Sequence, residues 1–359
     1  MIPYFLLIAI PVLFSFIGTK YRVTLRKRVL FETQAACIDA FMLIFLLMLA
    51  FRGLECGVDT RQYLRMYNRY SAFSVAEIFQ NSDHEYGFKL LIKLVGMIFG
   101  SFQMLLCITA GICVIPLWYF YKRESDSQLL TIALFLSVAP FIMYFSGIRQ
   151  AIAISLGIAA WYAARERRKI RFVLTVLLAM QFHTSAFILF LIYPLYTAKI
   201  TTRWLWFVIP GMAAVFFLKN TIFNFLLAYL WNEYRVTTET GAPTILLLLI
   251  LFGAYAYIIP DEQTIEQDTI ALRNMLLLSI VIQFFALLHP LAMRMNYYFL
   301  VFVPILIPRV AARSKNMFSQ IADVSILVMT VYFMYYFIHK VVNDVDSLGI
   351  FPYIPFWAE

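Results

Sequence analysis

Apolar runs, most of them close to the roughly 17–25 residues that cross a bilayer as helix, alternate with short polar stretches along the chain. They occupy residues 1–18, 34–51, 102–121, 129–144, 151–163, 172–196, 204–218, 221–231, 244–259, 275–288, 297–307 and 321–338. The pattern predicts an all-α, polytopic integral membrane protein of roughly twelve transmembrane helices, with residues 1–359 as a single membrane domain. Two stretches break the alternation. Residues 86–100 are apolar but short, with Lys89 and Lys93 one helical turn apart on one face, and read as a re-entrant or interfacial helix. Residues 172–196 exceed one span and carry Gln181, His183, Thr184 and Ser185, which predicts one tilted helix or one broken near its middle.

Basic clusters orient these runs. Lys20, Arg22, Arg26, Lys27 and Arg28 follow the first run instead of preceding it, as expected of a first membrane helix and not of a cleaved signal. Lys122 and Arg123, the 165–171 cluster, and Arg309, Arg313 and Lys315 all fall cytoplasmic if residues 86–100 do not cross, with both termini outside. The polar segment 52–85 then lies outside. It mixes charges of both signs with Tyr63, Tyr67, Tyr70 and Phe73, a composition suited to an amphipathic helix at the interface.

Composition agrees. With 63% hydrophobic and 14% charged residues, no soluble fold could hide the apolar surface. The net charge of +9 is therefore a topology signal rather than a nucleic-acid one. Cys37, Cys56, Cys107 and Cys113 show no metal-ligand or redox spacing, and no metal or other cofactor is expected. Asp39 and Asp323 sit in the first turns of their helices, where the helix dipole favours an acid, and read as structural.

The candidate chemistry gathers on the outer side. Phe145-Ser146-Gly147-Ile148-Arg149-Gln150 sets a guanidinium between two apolar runs, with Gly147 as a turn or close-approach position. The segment 52–85 and the turn His289-Pro290 to Arg294 share that side, and His183 lies past the midpoint of its run toward it. Arg52, Arg149 and Arg294, flush with the membrane, suit the pyrophosphate of a lipid headgroup, because guanidinium makes forked bonds to phosphate oxygens. Asp59, Glu85 and His183 are candidates for deprotonating an attacking hydroxyl. Gln150, Tyr63 and Tyr298 are candidate glycan contacts.

These residues resemble a known family. Arg52-Gly53 with Asp59-Thr60 and Tyr63, Glu85-Tyr86-Gly87-Phe88-Lys89-Leu90-Leu91, Gly147-Ile148-Arg149-Gln150-Ala151-Ile152-Ala153, Phe182-His183-Thr184-Ser185-Ala186, and Arg294 with Tyr297-Tyr298-Phe299 are similar, in order, to the motifs of EpsG-type (Wzy-like) polysaccharide polymerases. The resemblance implies a glycosyltransferase of the bacterial plasma membrane with its active site facing outside. It would move a growing glycan of O-antigen, capsule or exopolysaccharide type from undecaprenyl pyrophosphate to a lipid-linked repeat unit. The bilayer and a chain-length regulator are the other partners considered. A transporter or flippase would need polar groups through the whole thickness, whereas the inner half of most helices reads as apolar apart from Asp39 and the basic loops. A membrane acyltransferase would place its histidine toward the cytoplasm.

Overall fold

The computed structural model describes residues 2–16, 22–25, 28–138, 140–230, 243–257, 265–313, 317–343 and 349–358. Their regular structure is helical apart from one antiparallel hairpin in the first basic cluster, strands β1 (Arg22–Leu25) and β2 (Arg28–Glu32). Helices α1 (Ile2–Phe16) and α2 (Thr33–Ala50) carry the first two apolar runs. A layer of three helices follows: α3 (Thr60–Ala72), α4 (Val75–Gln80) and α5 (Tyr86–Phe99). The chain continues through α6 (Phe102–Glu124), α7 (Gln128–Ser137), α8 (Pro140–Ser146), α9 (Ile148–Arg165) and α10 (Lys169–Met180). A 3-10 segment, Thr184–Leu191, leads into α11 (Ile192–Thr197). The remaining helices are α12 (Leu205–Leu230), α13 (Pro243–Ala256), α14 (Gln267–Ala286), α15 (Pro290–Leu300), α16 (Val303–Ala311) and α17 (Met317–Val342).

Among the described residues, three helices are each long and apolar enough to cross a membrane: α6, the stretch Thr202–Leu226 that includes most of α12, and α14. Helices α15 and α16, bent by 48°, make a fourth if counted as one span, and shorter apolar helices take up most of the other runs. Two runs expected as single spans are interrupted. Residues 129–144 divide into α7 and α8, and residues 297–307 bend between α15 and α16. Of the two alternatives for residues 172–196, the broken one is found, with the break at Gln181–His183. Irregular backbone is tolerated at membrane depth only where protein or water meets its polar groups, and here the Gln181 carbonyl at the break accepts from Phe88 N–H of α5.

Helix α3 buries Tyr63, Met66, Tyr67 and Tyr70, a helical i, i+3, i+4, i+7 row, against α5. The two lysines of α5 do not form a free basic face. Lys89 is fully buried and its Nζ donates to the carbonyls of Ile78 (3.0 Å) and Asn81, while Lys93 Nζ donates to Ser71 O at 2.9 Å. Lys89 thus ties the end of α4 to α5, and Lys93 ties the last turn of α3 to it. At the same end of the molecule, residues 349–358 lie along the loop after α2. Gly53 N–H donates to Ile354 O and Gly57 N–H to Gly349 O, each at 2.8 Å, and Phe356 N–H donates to Phe51 O at 3.0 Å.

The opposite end, at the expected basic loops, holds an ion-pair cluster between helices. Arg165, closing α9, bridges Glu124 and Asp268 at 2.9 Å each. Tyr162 donates to Glu124 at 3.1 Å, Tyr196 to Asp268 at 2.5 Å, and Arg309 lies 3.5 Å from Glu124. Each acid is matched by cations and hydroxyls from other helices, so the cluster ties α6, α9, α11, α14 and α16 together. Asp39 is likewise satisfied, by Trp118 Nε1 and Lys122 Nζ at 2.7 Å each, and Asp323 accepts from Tyr255.

Candidate functional site

Two of the expected residues, Arg149 and His183, meet around the carboxylate of a third, Glu85. Glu85 ends the loop before α5 in extended backbone, and its side chain reaches across instead of capping its own helix. Its Oε2 accepts from Arg149 Nη1 at 2.5 Å. Its Oε1 accepts from Thr184 N–H at 3.0 Å and Thr184 Oγ1 at 3.1 Å, and lies 3.3 Å from His183 Nδ1. The approach is set by Gly87, the second residue of α5. A Cβ there would stand 2.7 Å from the carbonyl oxygen of Gln181, at the break itself. Phe88 N–H donates to that same carbonyl at 3.3 Å, giving one of the freed groups a partner.

Electrostatics follow from this geometry. Burial by itself would raise the Glu85 carboxyl, but the His183 contact, the Arg149 charge and the Thr184 N–H outweigh it and hold the carboxyl well below its usual range. Glu85 is therefore a firmly ionised anchor, and a weak proton acceptor. If His183 turns Nδ1–H toward Glu85, its Nε2 is left as an acceptor, the arrangement by which a carboxylate orients a histidine base.

The other expected residues are distributed unevenly. Asp59, at the N-cap position of α3, is partly exposed and makes no capping bond, so its carboxylate is not consumed by the helix end. Arg294 is exposed on α15, and its backbone carbonyl accepts from Gln150 Nε2, which brings α15 beside the opening turn of α9. Gln150, Tyr63 and Tyr298, expected to touch glycan, are all buried. Tyr63 hydrogen-bonds Arg149 and packs edge-on against Phe88, and the Tyr298 hydroxyl meets Ser185 Oγ at 3.1 Å. They support the site from beneath. Arg52 is also set apart: it is buried, and the clefts it lines include none of Glu85, Arg149, His183 or Arg294.

Two glycines define the site besides the expected Gly147, whose φ of −90° any residue can adopt but where a Cβ would stand 3.0 Å from Met143 Sδ. Gly87 makes the close contact described above. Gly57, with φ of +98°, lies in the left-handed region, and a Cβ on it would run into the Phe145 carbonyl. In the sequence Gly87 is signalled only by its place in the second motif, and Gly57 is not singled out. Among the described residues no group of three His, Cys, Asp or Glu side chains is placed to hold a metal ion.

A helical membrane protein whose broken helix and loop bring one carboxylate onto an arginine and a histidine has the makings of a transferase site. The chain matches the model of the EpsG family over residues 37–354 and belongs to that family. Neither a curated protein nor a solved structure matches it significantly. Membership points to a polysaccharide-polymerase type of function, at the coarse level a glycosyl transfer within a membrane.

Proposed function

We propose that this protein polymerises surface polysaccharide, transferring a growing glycan from undecaprenyl pyrophosphate to a lipid-linked repeat unit at the outer face of the plasma membrane. The observation that carries the reading is the Glu85 carboxylate holding Arg149 and His183 together at the helix break. Arg149, with Arg294 across the turn, neutralises the pyrophosphate; a preorganised guanidinium stabilises charge as it builds on the leaving group. The acceptor hydroxyl attacks the anomeric carbon of the donor glycan and the bond from that carbon to the pyrophosphate oxygen breaks. The hydroxyl proton passes to His183 Nε2, and the lipid pyrophosphate leaves as an anion. Glu85 positions both partners and does not take the proton. Asp59, partly exposed and without a cap bond, stands as the second acid near the loop.

Deletion of the gene followed by analysis of surface and lipid-linked glycan tests this. Loss of a polymerase leaves single repeat units on lipid at the cell surface, whereas loss of a flippase leaves none there. Full-length polymer in a strain carrying His183→Gln at normal protein level would remove His183 from the proton-transfer role.

A further inference from the structure

His84 stands one residue before Glu85 and makes none of the contacts around that carboxylate. It is partly buried, in the loop between α4 and α5. Its Nδ1 lies 2.7 Å from the hydroxyl of Tyr70, a fully buried residue of α3, and the two rings meet edge-on with centroids 5.8 Å apart. A buried phenol left without an acceptor carries the desolvation cost of its hydroxyl, and Nδ1 is the acceptor in reach. Tyr70 therefore donates to Nδ1, which leaves the ring proton on Nε2. Burial, with the charges of Arg149 and Lys89, holds the imidazole below its usual range against the opposing pull of Glu85 and Asp83, so this neutral, accepting form prevails at pH 7.

Other contacts fasten this loop less closely to Glu85. Lys89 Nζ holds the Asn81 carbonyl, at the far end of the loop. Arg69 Nη1 donates to Asp83 Oδ2 at 2.8 Å, but both side chains of that pair are exposed, where an ion pair holds little. The Tyr70 bond is the buried one, and it grips the residue next to the carboxylate. It also comes from the helix that sends the Tyr63 hydroxyl to Arg149. Tyr63 and Tyr70 share the buried face of α3, about two turns apart. One helix thus holds both sides of the Glu85–Arg149 pair, through one phenol on the arginine and another on the neighbour of the acid.

We propose that His84 is a positioning residue for Glu85: its Nδ1, accepting from Tyr70, sets the loop so that the carboxylate reaches Arg149 and His183. The importance of Glu85 to glycan transfer rests on the polymerase reading. Its placement by His84 does not, and needs no substrate to be measured.

The chain has four histidines, so NMR of labelled imidazole nitrogens in the full chain in detergent micelles can follow His183, assigned by the signal missing in His183→Gln. Its Nδ1 stands 3.3 Å from Glu85 Oε1, and a well-placed carboxylate enriches the Nδ1–H tautomer over its level in free histidine. Wild type should show that enrichment. Tyr70→Phe, which removes only a hydroxyl, and His84→Leu, which removes the acceptor, should each lower the ratio of Nδ1–H to Nε2–H about fivefold, the share of one ordinary hydrogen bond. His84→Asn, whose Oδ1 can stand where Nδ1 does, should stay within about twofold of wild type. An unchanged ratio in either Tyr70→Phe or His84→Leu overturns the positioning role. So does a loss in His84→Asn equal to that in His84→Leu, because bulk and not the acceptor would then hold the loop. A wild-type ratio no higher than that of free histidine overturns it as well. Glycan analysis of the deletion strain decides the polymerase reading separately.

Discussion

Replacing Glu85 with Gln removes one charge and almost no volume, and the structure says which contacts survive. Thr184 N–H and Oγ1–H can still donate to an amide oxygen. The amide nitrogen then faces Arg149 Nη1, donor against donor, and Arg149 loses its carboxylate partner. Removing one member of a fully buried ion pair costs about 3–5 kcal/mol. Here the Arg149 side chain is 22% exposed and that of Glu85 11%, so water relieves part of the charge. About 2 kcal/mol remains, within the range of a single charge-assisted hydrogen bond. That corresponds to roughly a thirtyfold shift away from the closed arrangement. Thermal unfolding in detergent of Glu85→Gln, Arg149→Gln and the double variant gives the coupling directly; about 1.5–2 kcal/mol is expected. A coupling below about 0.5 kcal/mol would mean that the two side chains act independently, and the anchoring role of Glu85 would be refuted.

Three further outcomes are expected. Arg149→Lys should lose polymer nearly as completely as Arg149→Ala, because one ammonium cannot hold Glu85, Tyr63 and a phosphate through a planar fork; polymer length on gels checks it. Gly87→Ala should destabilise by about 2 kcal/mol or more through overpacking, since its methyl meets backbone at Gln181 and not a yielding side chain, whereas Gly100→Ala, with nothing near the added carbon, should cost only about 1 kcal/mol from its left-handed φ. The Glu85 carboxyl is held below its ordinary range, so the fold favours its ionised form. Its contribution is complete above the unfolded value near pH 4.3 and is lost as pH falls through the lower folded one. The difference in Tm between wild type and Glu85→Gln should therefore hold from about pH 7 to pH 5 and narrow only in stronger acid.

The membrane class was legible in the apolar runs because lipid demands long uninterrupted hydrophobicity of a helix. The Glu85, Arg149 and His183 positions could be drawn to one side by charge counting alone, since basic clusters report orientation. What charge counting could not supply is direction within that side. Arg52 and Arg149 read alike in sequence, yet one is buried behind Leu49 and the other is paired with Glu85. Tyr63 and Tyr298 looked like sugar platforms, since aromatic residues signal either a core or a binding face and periodicity does not separate the two. The break at Gln181 depends on Gly87 from a distant helix, and the acids Glu124 and Asp268 are satisfied by arginines far along the chain. Such contacts leave no local pattern.

The last residues of the structure have a consequence for how the molecule is made. The loop that carries Arg52 and Asp59 completes its backbone bonds only with residues 349–356, and Cys56 and its partner Ile350 are 294 positions apart. At about 5–20 residues per second, that loop waits roughly 15–60 s between its own synthesis and the arrival of the segment that fastens it. During that interval Gly53 and Gly57 present unpaired N–H groups at the membrane surface. Assembly of this region is therefore a late event in biogenesis, timed by the ribosome rather than by local folding.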